Sequence, residues 1–131
     1  ARAALEEGFI TGGGVSLIRA EAAIDALDLQ ADELVGANIV RDALAQPLIQ
    51  IAENAGEDGD VVAVKVREAE GSVGFNAISE EYEDLVAAGI IDPVKVTRLA
   101  ITNAVSAAIM LLTTETLVVD APEKKPTDHS H

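Results

Sequence analysis

Three consecutive glycines, Gly12-Gly13-Gly14, stand between two helix-favouring segments, Ala1–Glu7 and Val15–Ala26, and nothing else in the chain restricts its path as sharply. An ordered glycine costs about 0.5–1 kcal/mol relative to alanine, so a run of three marks backbone that other residues supply poorly. Two demands fit. One is a tight helix-to-helix corner, with Gly8 closing the first helix and the triplet giving positive φ and a glycine N-cap. The other is close approach of a ligand to the main chain beside the N–H groups of a helix start. The run matches neither the dinucleotide fingerprint nor the P-loop spacing, which favours the corner.

Helical periodicity governs most of the chain beyond the corner. Val15, Ile18, Ala22 and Leu27 form one apolar stripe, with Arg19, Glu21 and Asp25 turned away from it. Leu34, Val35, Ile39, Leu44, Leu48, Ile51 and Ala55 carry another along a long helix from Asp32 to Ala55. Pro47 inside that helix costs about 3 kcal/mol and predicts a kink rather than a break, because the stripe keeps its register through Leu48 and Ile51. The acidic turn Glu57-Asp58-Gly59-Asp60 lacks the alternating acids of a calcium loop and reads as the cap of Val61–Glu68. There β-branched residues favour a strand while the acidic cap and the Arg67-Glu68 ending lean towards a helix.

Gly71–Asn76 reads as an extended turn or hairpin arm, and Glu80–Ala88 as a short helix stopped by Gly89. Asp92 and Pro93 mark a helix start, as N-cap and first helical residue, and the pattern continues through Val94, Ile101 and Val105 to Leu112. From Ala104 to Leu112 that helix is apolar nearly all round, so its cover must come from further chain. Thr116–Val119 is a short β-type run, and 122–131 a polar tail expected to be disordered. The expected fold is mainly α: a multihelical bundle with a short terminal β-strand and a small hairpin, one domain over 1–121.

Composition narrows the function classes. Phe9, Phe75 and Tyr82 are the only aromatics, so the core must be built from Ala, Val, Ile and Leu. Acids outnumber bases by 23 to 9, for a net charge of −14, which argues against a nucleic-acid partner. The absence of cysteine removes disulfides and thiolate metal sites. No run reads as a membrane span or signal peptide, so a soluble intracellular setting is expected. The chain opens in mid-pattern without a cap, which leads us to expect sequence before Ala1.

No nucleophile is paired with a base, so no catalytic residue is expected within this chain. Asp128-His129-Ser130-His131 reads as a solvated end, and no metal site is expected. Asn76 and Asp92 are explained locally by a turn and a cap. A carboxylate at a helix start also has the acceptor capacity to hold the vicinal hydroxyls of a sugar.

Ala1-Arg2-Ala3-Ala4-Leu5-Glu6-Glu7-Gly8 with Thr11-Gly12-Gly13-Gly14-Val15, Gly74-Phe75-Asn76-Ala77 with Glu81-Tyr82, Gly89-Ile90-Ile91-Asp92-Pro93-Val94-Lys95-Val96-Thr97-Arg98 and Leu112-Thr113-Thr114-Glu115 resemble, in order and spacing, the C-terminal part of a GroEL-type (group I) chaperonin subunit. The resemblance spans Ala1 to about Pro122. It implies the C-terminal half of an equatorial domain, which binds ATP and forms ring contacts in an ATP-dependent folding machine. By the same resemblance Gly13 lies against the nucleotide, where a Cβ would point at it, Asn76 and Ala77 flank the adenine, Ile90 lines the base pocket and Asp92 holds the ribose hydroxyls. Ile78 stands where the family usually has a small alanine, leaving two arrangements open: a side chain crowding the adenine, or only backbone facing it.

The resemblance places the phosphate loop, the Mg2+-binding aspartate and the water-activating aspartate before Ala1, so this chain alone is expected to be inactive as an ATPase. Implied partners are identical subunits in a double heptameric ring, with a co-chaperonin and unfolded clients held by domains absent here; the implied setting is cytoplasmic, mitochondrial or plastid. The terminal strand would pair with strands of the N-terminal half and of a neighbouring subunit. The alternative is a self-associating helical interaction module without enzymatic activity.

Overall fold

Fully buried Val15, Leu48, Val66 and Leu85 come from four different parts of the chain and meet in one core. The computed structural model describes the backbone of residues 8–120 and the side chains of 8–114. Its elements are β1 (Phe9–Thr11), α1 (Val15–Asp25), α2 (Ala31–Asn54), α3 (Gly59–Glu68), β2 (Val73–Asn76), β3 (Glu81–Asp84), β4 (Ile91–Pro93) and α4 (Val94–Asp120). The expected first helix, Ala1–Glu7, and the tail lie outside the described residues.

The mainly helical class holds, and α1 and α2 keep their expected bounds to within a residue. α2 stays one helix of 24 residues through Pro47. Its buried face is Leu44, Ala45, Leu48 and Ala52, set against Val15 and Ile18 of α1 and Val62, Ala63 and Val66 of α3. Small residues at Ala45, Ala52 and Ala63 let helix backbones approach closely in a core almost without aromatics. The strand-or-helix ambiguity at Val61–Val66 resolves as helix, and Asp58 is its cap: Oδ1 accepts from the backbone N–H of Asp60 at 3.0 Å and of Val61 at 3.3 Å.

Two short antiparallel pairs flank the helices. β1 pairs with β4, placing Ile10 opposite Asp92 and Thr11 opposite Ile91. β2 pairs with β3, placing Phe75 opposite Tyr82 and Asn76 opposite Glu81.

Several expectations change. Glu80–Ala88 is not a helix: its first half is the strand β3, followed by a turn that closes with Gly89 N–H donating to Val86 O at 3.0 Å. Phe75 and Tyr82 supply the tertiary reason, their rings packing at 5.6 Å between centroids across the hairpin. Thr116–Val119 is not a terminal strand but part of α4, which runs on to Asp120; extending an existing helix fixes one residue per new hydrogen bond, which outweighs a weak β preference. Asp92 and Pro93 belong to β4, so α4 begins at Val94 and Asp92 is a strand residue two positions before the helix.

Arg19 and Glu21, expected to face solvent, are structural. Arg19 donates to three carbonyls: Val66 O at 2.8 Å, Gly71 O at 3.0 Å and Val73 O at 3.2 Å, joining the end of α3 to the start of β2. Glu21 is only 6% exposed and takes both arms of Arg67.

No membrane span was expected, yet 21 residues of α4, Val94–Thr114, are long and apolar enough by length and composition to cross one. Polar residues such as Arg98, Thr102, Asn103 and Ser106 interrupt every consecutive apolar run while leaving the average high. Much of this face lies uncovered, with Met110 70% exposed and Ile109 and Leu111 more than half so; Gly36 of α2 lets Leu112 pack closely on the other side.

Candidate functional site

Strand pairing brings the start of the described chain against the segment that leads into α4. Gly12 N–H donates to Ile90 O at 3.0 Å and Val94 N–H to Gly8 O at 3.2 Å, continuing the β1–β4 ladder past both ends of the strands. The glycine corner is thereby held against Ile90–Asp92. Beside it lies a cleft of about 310 Å³, lined by Thr11, Gly13, Gly14 and Ser16 from the corner, Asp92 from β4, Pro47 and Ile51 from α2, and Val96, Thr97 and Ala100 from α4, with Leu17 of α1. Ser16 Oγ donates to Thr11 O at 2.7 Å, closing the turn into α1.

Each glycine of the run answers to a separate close approach. A Cβ on Gly12 would lie 3.1 Å from the Ile90 carbonyl. On Gly14, at φ +80°, it would sit 2.9 Å from Leu48 N, and on Gly13, at φ +63°, 2.8 Å from Leu85 Cδ1. The expectation that a Cβ on Gly13 would point at a ligand is thus corrected: it points into the Leu85 side chain, because the β2–β3 hairpin packs onto the corner. The Gly13 residue itself still lines the cleft.

Asn76 closes β2 and is 9% exposed. Its Oδ1 accepts from Ile78 N at 3.0 Å and Ser79 N at 3.5 Å, its Nδ2 donates to Glu83 Oε1, and its carbonyl accepts from Glu80 N at 2.7 Å. Glu80 takes φ +58°, an uncommon value for a residue with a Cβ, to close this turn. Ala77 packs partly buried on the core, whereas the Ile78 side chain is 92% exposed.

Gly13 and Asp92 therefore share one cleft; Ile90 is not among its lining residues, its Cγ2 lying 3.9 Å from the Gly13 Cβ position on the Leu85 side of the corner. Asn76, Ala77 and Ile78 are not among the lining residues. Their link to the corner runs through Phe75, whose carbonyl is 3.8 Å from the same position. The hairpin is anchored by Tyr82, which packs on Phe75 and lies 5.3 Å beneath the Lys65 ammonium. Burial first, and the Glu57 carboxylate second, hold the Tyr82 phenol above its usual pKa. Among the described residues no group of three or more His, Asp or Glu is arranged to hold a metal ion.

Sequence reasoning missed Glu83 and Thr97 at this site. Glu83 sits on the same face of the β2–β3 ladder as Asn76, but that signal exists only once Glu80–Ala88 is read as a strand. Thr97 follows Asp92 by five residues, from the middle of β4 to the close of the first turn of α4, a juxtaposition that depends on where the helix begins.

A family model described as the TCP-1/cpn60 chaperonin family matches residues 1–122. Among solved structures the chain is similar to the open state monomer of a group II chaperonin from Methanococcoides burtonii, at 26% identity and a TM-score of 0.68, over 79% of this chain. It spans 27% of the length of that relative. The match is to the chaperonin family as a whole and the solved relative is a group II protein, so the narrower GroEL-type, group I expectation is not carried by these likenesses.

Proposed function

The chain belongs to the TCP-1/cpn60 chaperonin family, and we propose that it forms the C-terminal half of the equatorial domain of an ATP-dependent folding chaperonin, supplying the adenine and ribose side of the nucleotide site. The observation that carries this reading is the meeting of Gly13 and Asp92 in one cleft through the β1–β4 ladder. At about 310 Å³ the cleft is at the small end of ligand pockets, roughly 300–1,000 Å³, a size suited to the nucleoside part of a nucleotide. Asp92 accepts the ribose hydroxyls, Ile90 offers an apolar surface to the base, and Asn76 with Ala77 borders the adenine edge.

In this division of labour the residues here bind and orient, while phosphate chemistry and Mg2+ are handled by residues outside this chain. Asp92→Ala in the complete subunit is expected to weaken ATP binding about ten- to hundredfold, the loss of hydrogen bonds to a charged acceptor, while the unfolding midpoint changes little. Calorimetric titration with a non-hydrolysable ATP analogue measures this. Unchanged affinity would falsify the ribose role.

The group I assignment, the double heptameric ring, and the cytoplasmic, mitochondrial or plastid setting belong to this proposal, supported by the Gly12-Gly13-Gly14, Gly74-Phe75-Asn76-Ala77 and Ile90-Ile91-Asp92-Pro93 segments. Electron-microscopic end views of the assembled subunit are expected to show sevenfold symmetry; eightfold rings would place the protein with group II instead. A second reading, a self-associating helical module, draws on the uncovered face of α4 around Met110. In the chaperonin reading the same face is covered by the remainder of the domain.

A further inference from the structure

We propose that Glu83 is the positioning residue that sets the polarity of the Asn76 amide towards the base; this rests on the proposed function, in which Asn76 borders the adenine. A primary amide has two acceptor sites on its oxygen and two N–H donors. At Asn76 the oxygen is taken by Ile78 N and Ser79 N, and one N–H by Glu83 Oε1. One N–H remains.

The hairpin register explains how Glu83 reaches it. Asn76 is opposite Glu81 and Gly74 is opposite Glu83, so Asn76 and Glu83 are diagonal neighbours on one face of the ladder. Glycine at 74 puts no side chain between them, and it cannot readily be enlarged, since a Cβ there would fall 2.3 Å from Val15 Cγ2.

A carboxylate only accepts hydrogen bonds. Glu83 therefore fixes the amide with nitrogen towards itself and oxygen towards the turn. The flipped amide would set oxygen against carboxylate, and NH2 against the two backbone donors. The group left for a ligand is accordingly a donor, and its complement on the base is a ring nitrogen with a lone pair. In a setting as buried as that of Asn76, a donor lacking its acceptor is penalised, which converts a fixed polarity into affinity. Without Glu83 the polarity rests on the two turn donors alone, the weaker at 3.5 Å, and the amide nitrogen loses the acceptor that anchors its remaining N–H in place.

The test is steady-state ATP hydrolysis by the complete subunit carrying Asn76→Ala, Glu83→Ala or Glu83→Gln, with thermal unfolding followed alongside. Asn76→Ala and Glu83→Ala are each expected to raise KM for ATP about tenfold with kcat nearly unchanged, the pattern of lost binding. Glu83→Gln keeps an acceptor oxygen for Nδ2 and is expected to return KM to within about threefold of the parent. If Asn76→Ala raises KM but Glu83→Ala only lowers the melting temperature, Glu83 is merely structural and the positioning role is overturned, with the base site intact. If Asn76→Ala leaves KM unchanged, the base-site reading fails and takes this inference with it. A Glu83→Gln variant as impaired in KM as Glu83→Ala also overturns the mechanism, since an acceptor at that position would then not be what matters.

Discussion

Gly14→Ala is expected to lower folding stability by about 2–5 kcal/mol, combining a left-handed backbone with overpacking. Gly14 sits at φ +80°, and its missing Cβ would stand 2.9 Å from Leu48 N and 3.0 Å from Leu48 Cα and Cβ. Those atoms cannot swing aside: Leu48 is fully buried in the middle of α2, directly after Pro47, and to move it is to move the helix. Gly89 supplies the control, having the same φ of +80° with nothing within 4 Å of its Cβ position. Gly89→Ala carries the backbone cost alone, about 1–2 kcal/mol. Gly13→Ala belongs between them, because the atom it meets, Leu85 Cδ1, ends a side chain that can rotate. Urea unfolding of the three variants gives the order directly. Equal losses at Gly14 and Gly89 would show that the corner needs glycine for its dihedral angles only.

That comparison separates what the sequence disclosed about the corner from what it withheld. A turn with positive φ was legible from three glycines in a row, since no other residue is so often used there. Which atoms crowd each position was not, because Ile90, Leu85 and Leu48 come from distant parts of the chain. The helices were legible for a related reason: Leu44, Leu48 and Ile51 repeat at a spacing that only a helix turns to one side, and Asp58 caps α3 with its own carboxylate. The strands were not. β1 and β4 are three residues each, too short for alternation to register, and Glu81-Tyr82-Glu83-Asp84 is built of residues equally at home in a helix. Pairing with β2 and the contact of Tyr82 with Phe75 decide its state, and both are tertiary.

The candidate site shows the same division. Asp92 and Asn76 were found as residues with local duties, a helix start and a turn, and the resemblance to chaperonins added a shared ligand. Proximity of Gly13 and Asp92 follows from the β1–β4 register, whereas Asn76 stands outside the cleft, one residue beyond the Phe75 carbonyl that faces the corner. Arg19 is the clearest omission. Its position on the polar side of α1 looked like solvent exposure, but three carbonyls at the end of α3 and the start of β2 meet there. A planar guanidinium reaches several acceptors at once, and periodicity has no means of announcing them.

The pair next to Arg19 carries the second large effect. Arg67→Met is expected to destabilise the fold by about 1–3 kcal/mol, the consequence of leaving a buried carboxylate without its partner, reduced from the fully buried case because the Arg67 side chain is 38% exposed and water screens the pair. Glu21 is 6% exposed on α1, and Arg67 at the end of α3 donates to it from Nε at 2.9 Å and Nη2 at 3.0 Å, a two-pronged bond that pins the two helices together. The hydrogen bond to Glu21 is the leading reason that the Arg67 pKa is raised, and burial opposes it. A folded-state pKa above the unfolded one gives stability that is fully present below the ordinary arginine value and is lost only as pH rises past it. The Arg67 contribution is therefore constant through the neutral range, and the loss in Arg67→Met should not depend on pH there. Arg67→Lys keeps the charge but not the fork and belongs in between. The decisive variant is the double replacement Glu21→Leu with Arg67→Met, expected to recover to within about 1 kcal/mol of the parent, because two apolar side chains of similar bulk bury no unpaired charge. A single Arg67→Met that costs less than about 0.5 kcal/mol, the ordinary range for surface substitutions, would show that water already satisfies Glu21 and that α1 and α3 are held by their apolar faces alone.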